Sequence, residues 1–287
     1  MSKLSLPPGS ALRSAFFAAI FAPVALILMG MSLADLQARA AIGVPLASVE
    51  GMIGMAFSAI ILGMISINCE RHSIGMFVAA AWALIIGFLQ TFGYFRIHFL
   101  VAANLSADDM SAAQRWNLYP VCVAAILLGS GVALALTHRA RAKNPETEKL
   151  MPFERHQSER IAVAVASLPL GIGALALLIR CAPADSLPMA ARGLSGVVAQ
   201  TPLQPILSAA VAEVLGLIAL ASRWSMIGPQ LIAWTYIIPG FLLIPLGTTL
   251  TGVVVTPGHS LGTQVLMAAS TIAAYGMILA ASTLGIY

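Results

Sequence analysis

Eight apolar runs, each about 17 to 24 residues long, leave this chain few ways to fold. They are Ser14–Leu33, Met52–Asn68, Ile74–Phe95, Tyr119–Thr137, Ile161–Ile179, Leu203–Ala221, Met226–Thr249 and Gln264–Ile286. At about 1.5 Å of rise per residue, a helix of that length crosses roughly 30 Å of hydrocarbon. The runs are continuous and lack alternation at period two, which excludes a transmembrane barrel. Charged residues make up 9% of the chain, against about 25% in soluble domains. With a mean hydropathy of +0.92, lipid is the solvent.

The runs are also repeated. Leu62-Gly63, Ile74-Gly75 and Gly87-Phe88 recur 153 positions later as Leu215-Gly216, Ile227-Gly228 and Gly240-Phe241. Upstream, Ala38-Arg39 and Gly43-Val44 fall on Ala191-Arg192 and Gly196-Val197 at the same offset. The predicted fold class is therefore an all-α integral membrane protein with eight transmembrane helices, arranged as two parallel tandem four-helix repeats. Residues 1–139 form the first repeat, 140–160 a charged cytoplasmic linker, and 161–287 the second repeat. The first run also fits a secretory signal peptide. Its counterpart in the second copy is internal, so it is read as helix 1.

Eight helices place both termini on one side. That side holds ten Lys and Arg residues, including every Lys, against Arg39, Arg96, Arg115, Arg180 and Arg192 on the other. The excess predicts cytoplasmic termini in a multi-pass protein of the cell inner membrane. The net charge of +4 is spread over short loops with no basic, aromatic-interleaved patch, so nucleic acid is not an expected partner. Expected outer segments, Ala34–Val49 and Ala184–Gln200, read as interfacial helices. Trp116 and Tyr119 read as interfacial aromatics.

Glu213 is the one acid inside a predicted span, and such residues usually face the bundle interior and mark an ion or proton path. Arg39 and Arg192 are repeat-equivalent and offer two guanidinium forks for an anion or lipid phosphate, or simply meet headgroups. Arg96 and Arg180 end their helices on the same side and are expected to snorkel. Pro229, Pro239 and Pro245 in the seventh run suggest an interrupted helix whose freed carbonyls line a cavity, with Tyr236 as polar lining. Gln90 is a buried amide that needs a partner.

No His falls mid-span, so a haem site is not expected, and no catalytic or metal-binding motif is present. No cofactor is expected. Cys122 and Cys181 read as free, packed thiols. The leading function is a permease for a small solute or ion, with Glu213 able to exchange a proton. The alternative is an anchor or accessory subunit with partner membrane subunits. The third is an enzyme acting on a lipid or polyprenyl phosphate at the outer interface. Alkaline phosphatase fused after Tyr287 should be inactive and green fluorescent protein at the same place bright; the reverse pattern would refute cytoplasmic termini.

Overall fold

The computed structural model describes residues 11–41, 48–69, 72–92, 94, 106–143, 157–185, 189–250 and 261–286. Among these residues the chain forms ten helices and a closing 3-10 turn at Leu284–Ile286. In order they are α1 (Ala11–Ala41), α2 (Val49–Asn68), α3 (Ile74–Thr91), α4 (Ala107–Arg115), α5 (Tyr119–Lys143), α6 (Gln157–Cys181), α7 (Met189–Gln200), α8 (Pro205–Ala221), α9 (Ile227–Leu250) and α10 (Leu261–Ser282).

Each predicted apolar run falls on one helix, and local chemistry sets several ends. Ser48 caps α2, its Oγ accepting the Gly51 N–H at 3.1 Å. Pro205 opens α8, where a missing N–H costs nothing. Among the described residues six helices are long and apolar enough to cross a membrane: α1, α2, α3, α5, α6 and α10. The apolar stretches Pro205–Ala221 and Ile227–Leu243 are shorter. Large apolar side chains such as Leu12, Phe57, Ile161 and Trp234 stand exposed around the bundle. A soluble protein does not present such a surface, whereas a bilayer solvates it. This is the make-up of a multi-pass helical membrane protein.

The expected boundaries need four corrections. The segment Ala34–Val49 is not one interfacial piece, because Ala34–Ala41 continues α1 and is largely buried. α3 stops at Thr91, short of Phe95. The expected linker shrinks, because α5 runs on to Lys143 and α6 starts at Gln157; residues 144–156 lie outside the described part. Finally, α9 holds Pro239 without a break, so the expected interrupted helix is not there.

α1 packs along α2 and α3, and α3 along α5. In the second half α6 packs along α8 and α9, and α9 along α10. The halves join through α5 against α8 and through α10 against α2 and α1. Buried residues make up 89% of the apolar core of α10 but only 22% of that of α6, so α10 is the axial helix and α6 a peripheral one. The α5–α8 crossing is closest at Gly129, where an added Cβ would strike the Gly216 carbonyl. Lipid offers no hydrophobic force between helices, so such close backbone contact is a main source of association.

Gly129→Leu should therefore lower stability by about 2 kcal/mol or more, read as a drop in melting temperature in detergent. Gly173→Ala, where nothing lies within 4 Å, is the control and should leave it unchanged or slightly raised. Equal melting of wild type and Gly129→Leu would show that the crossing is not tight.

Candidate functional site

One helix interruption in this bundle kinks α7 at Gly193, and another lies between α4 and α5, at Trp116, Asn117 and Leu118. Its cause is local. In a continuous helix the N–H of residue 120 would bond the Trp116 carbonyl, but Pro120 has no N–H. Leu118 takes the left-handed conformation, φ 49°, which is rare for a residue with a side chain. α5 then restarts, with Val121 and Cys122 donating to the Leu118 carbonyl at 2.9 and 3.1 Å.

The carbonyls released by the break find side-chain donors from distant helices. Ser208 of α8 donates its hydroxyl to the Trp116 carbonyl at 3.2 Å. The Tyr275 hydroxyl of α10 and the Cys122 thiol each reach the Asn117 carbonyl at 3.4 Å. Unwound backbone inside a membrane protein persists only where it is satisfied in this way or lines a cavity.

Around the break lies a buried layer of uncharged polar groups. Trp116 Nε1 donates to Gln37 Oε1 at 3.1 Å, and Gln37 Nε2 donates to Thr271 Oγ1 at 2.9 Å. Asn117 Nδ2 donates to the same Thr271 oxygen at 3.2 Å. Gln114 Nε2 donates to Gln90 Oε1 at 3.0 Å. This amide pair lies over Gly30, where a Cβ would come within 2.7 Å of both amides, so only glycine leaves room for them. The Tyr119 and Tyr275 rings stack with centroids 6.4 Å apart. Trp116 and Tyr119 are 1% and 2% exposed, which corrects their expected place at headgroup level.

The layer is not fully paired. Gln90 Nε2, Gln114 Oε1, Asn117 Oδ1 and Tyr119 Oη are buried without a hydrogen-bond partner, as are Ser32 Oγ and Ser270 Oγ. A buried polar atom left unpaired costs about 1–3 kcal/mol, so four around one break are exceptional. They present both donors and acceptors but no charge. Such a set can hold a neutral hydrogen-bonding molecule. Among these four residues there is no carboxylate or imidazole.

Near the α6 terminus a cleft of about 270 Å³ is lined by Arg180, Asp185, Thr201, Gln204 and Gln264 among others. Gln264 Nε2 donates to the Ala182 carbonyl at 3.3 Å. Arg180 is followed by Cys181, which lies beside Ser208, the donor to the Trp116 carbonyl. Cys181, next in sequence to a cleft residue, thus touches a residue that pairs with the break.

The residues expected from sequence scatter. Gln90 belongs to the layer. Tyr236 is buried, but its hydroxyl donates to the Gly171 carbonyl at 2.6 Å and so ties α9 to α6. Arg39 and Arg180 are exposed, and Arg180 alone of the two lines the cleft. Arg96 lies outside the described residues; so does the side chain of Arg192, whose backbone is in α7. Glu213 is exposed, against the expectation that it faces inward. The inner face of α8 is taken by Ser208, Val211, Ala212, Leu215, Ile218 and Ala219, and at 100° per residue Glu213 falls on the opposite side. Cys69, Cys122 and Cys181 are free and buried. Among the described residues no three His, Cys, Asp or Glu gather where they could hold a metal ion.

Sequence reading missed Gln37, Gln114, Asn117 and Thr271. The usable signal was Pro120, three residues after Asn117 and second in the apolar run Tyr119–Thr137, which stops a helix arriving from Trp116-Asn117. Ser208→Ala leaves the Trp116 carbonyl buried without its donor and should destabilise the protein by about 1–3 kcal/mol, measured by thermal unfolding in detergent. Unchanged unfolding would mean that the bond is not formed. No family model matches the chain, and no curated protein or solved structure is similar to it.

Proposed function

We propose that the protein is a permease for a small, uncharged, hydrogen-bonding solute, which binds at the α4–α5 break. The observation that carries this is the group of four unpaired polar atoms, Gln90 Nε2, Gln114 Oε1, Asn117 Oδ1 and Tyr119 Oη, in one buried layer. Discontinuous helices with freed carbonyls are where transporters bind their cargo, and here the cleft at Arg180 and Gln264 offers an approach. A subunit serving only as an anchor would have little use for so many converging polar groups. Proton coupling through Glu213 has no support from its outward orientation. A phosphate-directed enzyme has little, since Arg39 does not join Arg180 in the cleft.

The reading takes the chain as eight spans in two parallel copies. Matched contacts support it. A Cβ on Gly75 of α3 would meet the Ser14 carbonyl of α1, and one on Gly228 of α9 the Val163 carbonyl of α6. Gly87 of α3 lies against Pro120 of α5, and Gly240 of α9 against Ala273 of α10. Gly63 of α2 faces Ala281 of α10, while Gly216 of α8 faces Ala125 of α5. Each pair is separated by the repeat offset and meets the corresponding helix. In the last pair each copy's second helix meets the other copy's fourth, as a two-fold axis along the membrane normal requires.

The test is solute flux into vesicles carrying the purified chain, followed by light scattering for urea, formamide, glycerol and erythritol. Gln90 and Gln114 are replaced together by Met, which keeps their volume and removes both halves of the amide pair, so stability should change little. We expect at least one solute to enter faster than into protein-free vesicles, and the double variant to lose about tenfold or more of that flux with its melting temperature kept. Flux equal in wild type and variant would place the path elsewhere. No flux of any of the four would count against a permease for neutral solutes.

A further inference from the structure

Glu213 has a twin that shows what its place in the fold normally needs. At the repeat offset it corresponds to Ile60 of α2, which is 59% exposed. The outer stripe of α2 is Ile53, Phe57, Ile60, Met64 and Ile67, all exposed and all apolar, as a lipid-facing helix requires. The matching stripe of α8 is Ile206, Ala210, Glu213, Leu217 and Leu220. Ile206 and Leu217 keep the apolar pattern and are 83% and 52% exposed. Two positions depart from it. Ala210 replaces the bulk of Phe57, and one turn on, Glu213 replaces Ile60. Together they set a carboxyl beside a small side chain where α2 has two large apolar ones. Glu213 stands at the ninth of the 17 residues of α8, farthest from either end. Among the described residues nothing hydrogen-bonds or ion-pairs with it.

We infer that this face of α8 is a docking surface for one transmembrane helix of another membrane protein, carrying a Lys or Arg at mid-depth. This rests on the eight-span reading, which puts Glu213 inside the bilayer. The fold does not require the acid, because Ile serves at the equivalent place. An acid facing lipid at mid-depth is costly, and such groups pair with an opposite charge. The small residue one turn away admits a second helix closely enough for a long basic side chain to reach the carboxyl. A second copy of this chain cannot supply that charge. Every Lys, Arg and His lies near or beyond the ends of the apolar runs, so none is available at the depth of Glu213.

The experiment uses the full chain in phosphatidylcholine vesicles with two fluorescent single-span peptides, one of polyleucine and one with a central Lys. Energy transfer measures association with wild type and with Glu213→Ile, a change that the Ile60 precedent makes compatible with folding. A spin label at Leu217→Cys reports depth, by its collisions with oxygen against a water-soluble nickel chelate. We expect the Lys peptide to bind wild type about tenfold more strongly than the polyleucine peptide, and to fall to the polyleucine level on Glu213→Ile. Equal binding of both peptides, with the label shielded from nickel, overturns the docking surface and leaves the eight spans intact. Self-association of the chain that Glu213→Ile abolishes also overturns it, in favour of a second copy. A label open to nickel overturns both the docking surface and the eight-span reading.

Discussion

The constraint on which this structure most depends is that no backbone carbonyl can be left unpaired where water is absent. Within its helices the backbone meets it largely by itself. The break between α4 and α5 cannot, because Pro120 removes a donor and Leu118 turns the chain out of register. Its carbonyls are satisfied by the hydroxyls of Ser208 and Tyr275, which arrive from far along the sequence, together with the nearby Cys122 thiol. The arrangement of α8 and α10 around α5 is therefore also the condition for the break to exist.

The same reasoning separates packing from site. Most contacts in the bundle are close approaches of small residues, such as Gly129 on Gly216 and Gly240 on Ala273. These need shape and no polarity. The fully buried amides gather instead around the break, where Gln37, Gln90, Gln114, Asn117 and Thr271 outnumber the bonds they make with one another. A layer that served only to glue helices would have its donors and acceptors matched. This one has the surplus that a polar guest would use.

Helix existence was legible from the sequence, because an apolar run long enough to span admits few other structures. All eight runs coincide with helices, and Gln90 was rightly expected to be buried. Which way a helix faces was not legible. α8 is apolar on both its lipid side and its core side, so no amphipathic stripe distinguishes them, and Glu213 was assigned inward on the strength of its charge alone. Prolines misled in the opposite sense. Pro239 sits within a continuous α9, whereas the break fell at Trp116–Leu118, just before Pro120 and the run Tyr119–Thr137 that it opens. Polar residues buried by tertiary packing, such as Asn117, look in sequence like residues in water.

The polar layer also says something about the order in which the molecule can be made. Thr271 accepts from both Gln37 and Asn117, partners 234 and 154 positions earlier in the chain. A ribosome delivers those two residues to the membrane long before it reaches α10. Until α10 enters, the growing protein carries a Gln37 amide without its Thr271 acceptor, an Asn117 carbonyl held by the Cys122 thiol alone, and no axial helix for the others to close around. A nascent chain that stalls before α10 thus presents the membrane's quality control with polar groups that α10 would otherwise hide.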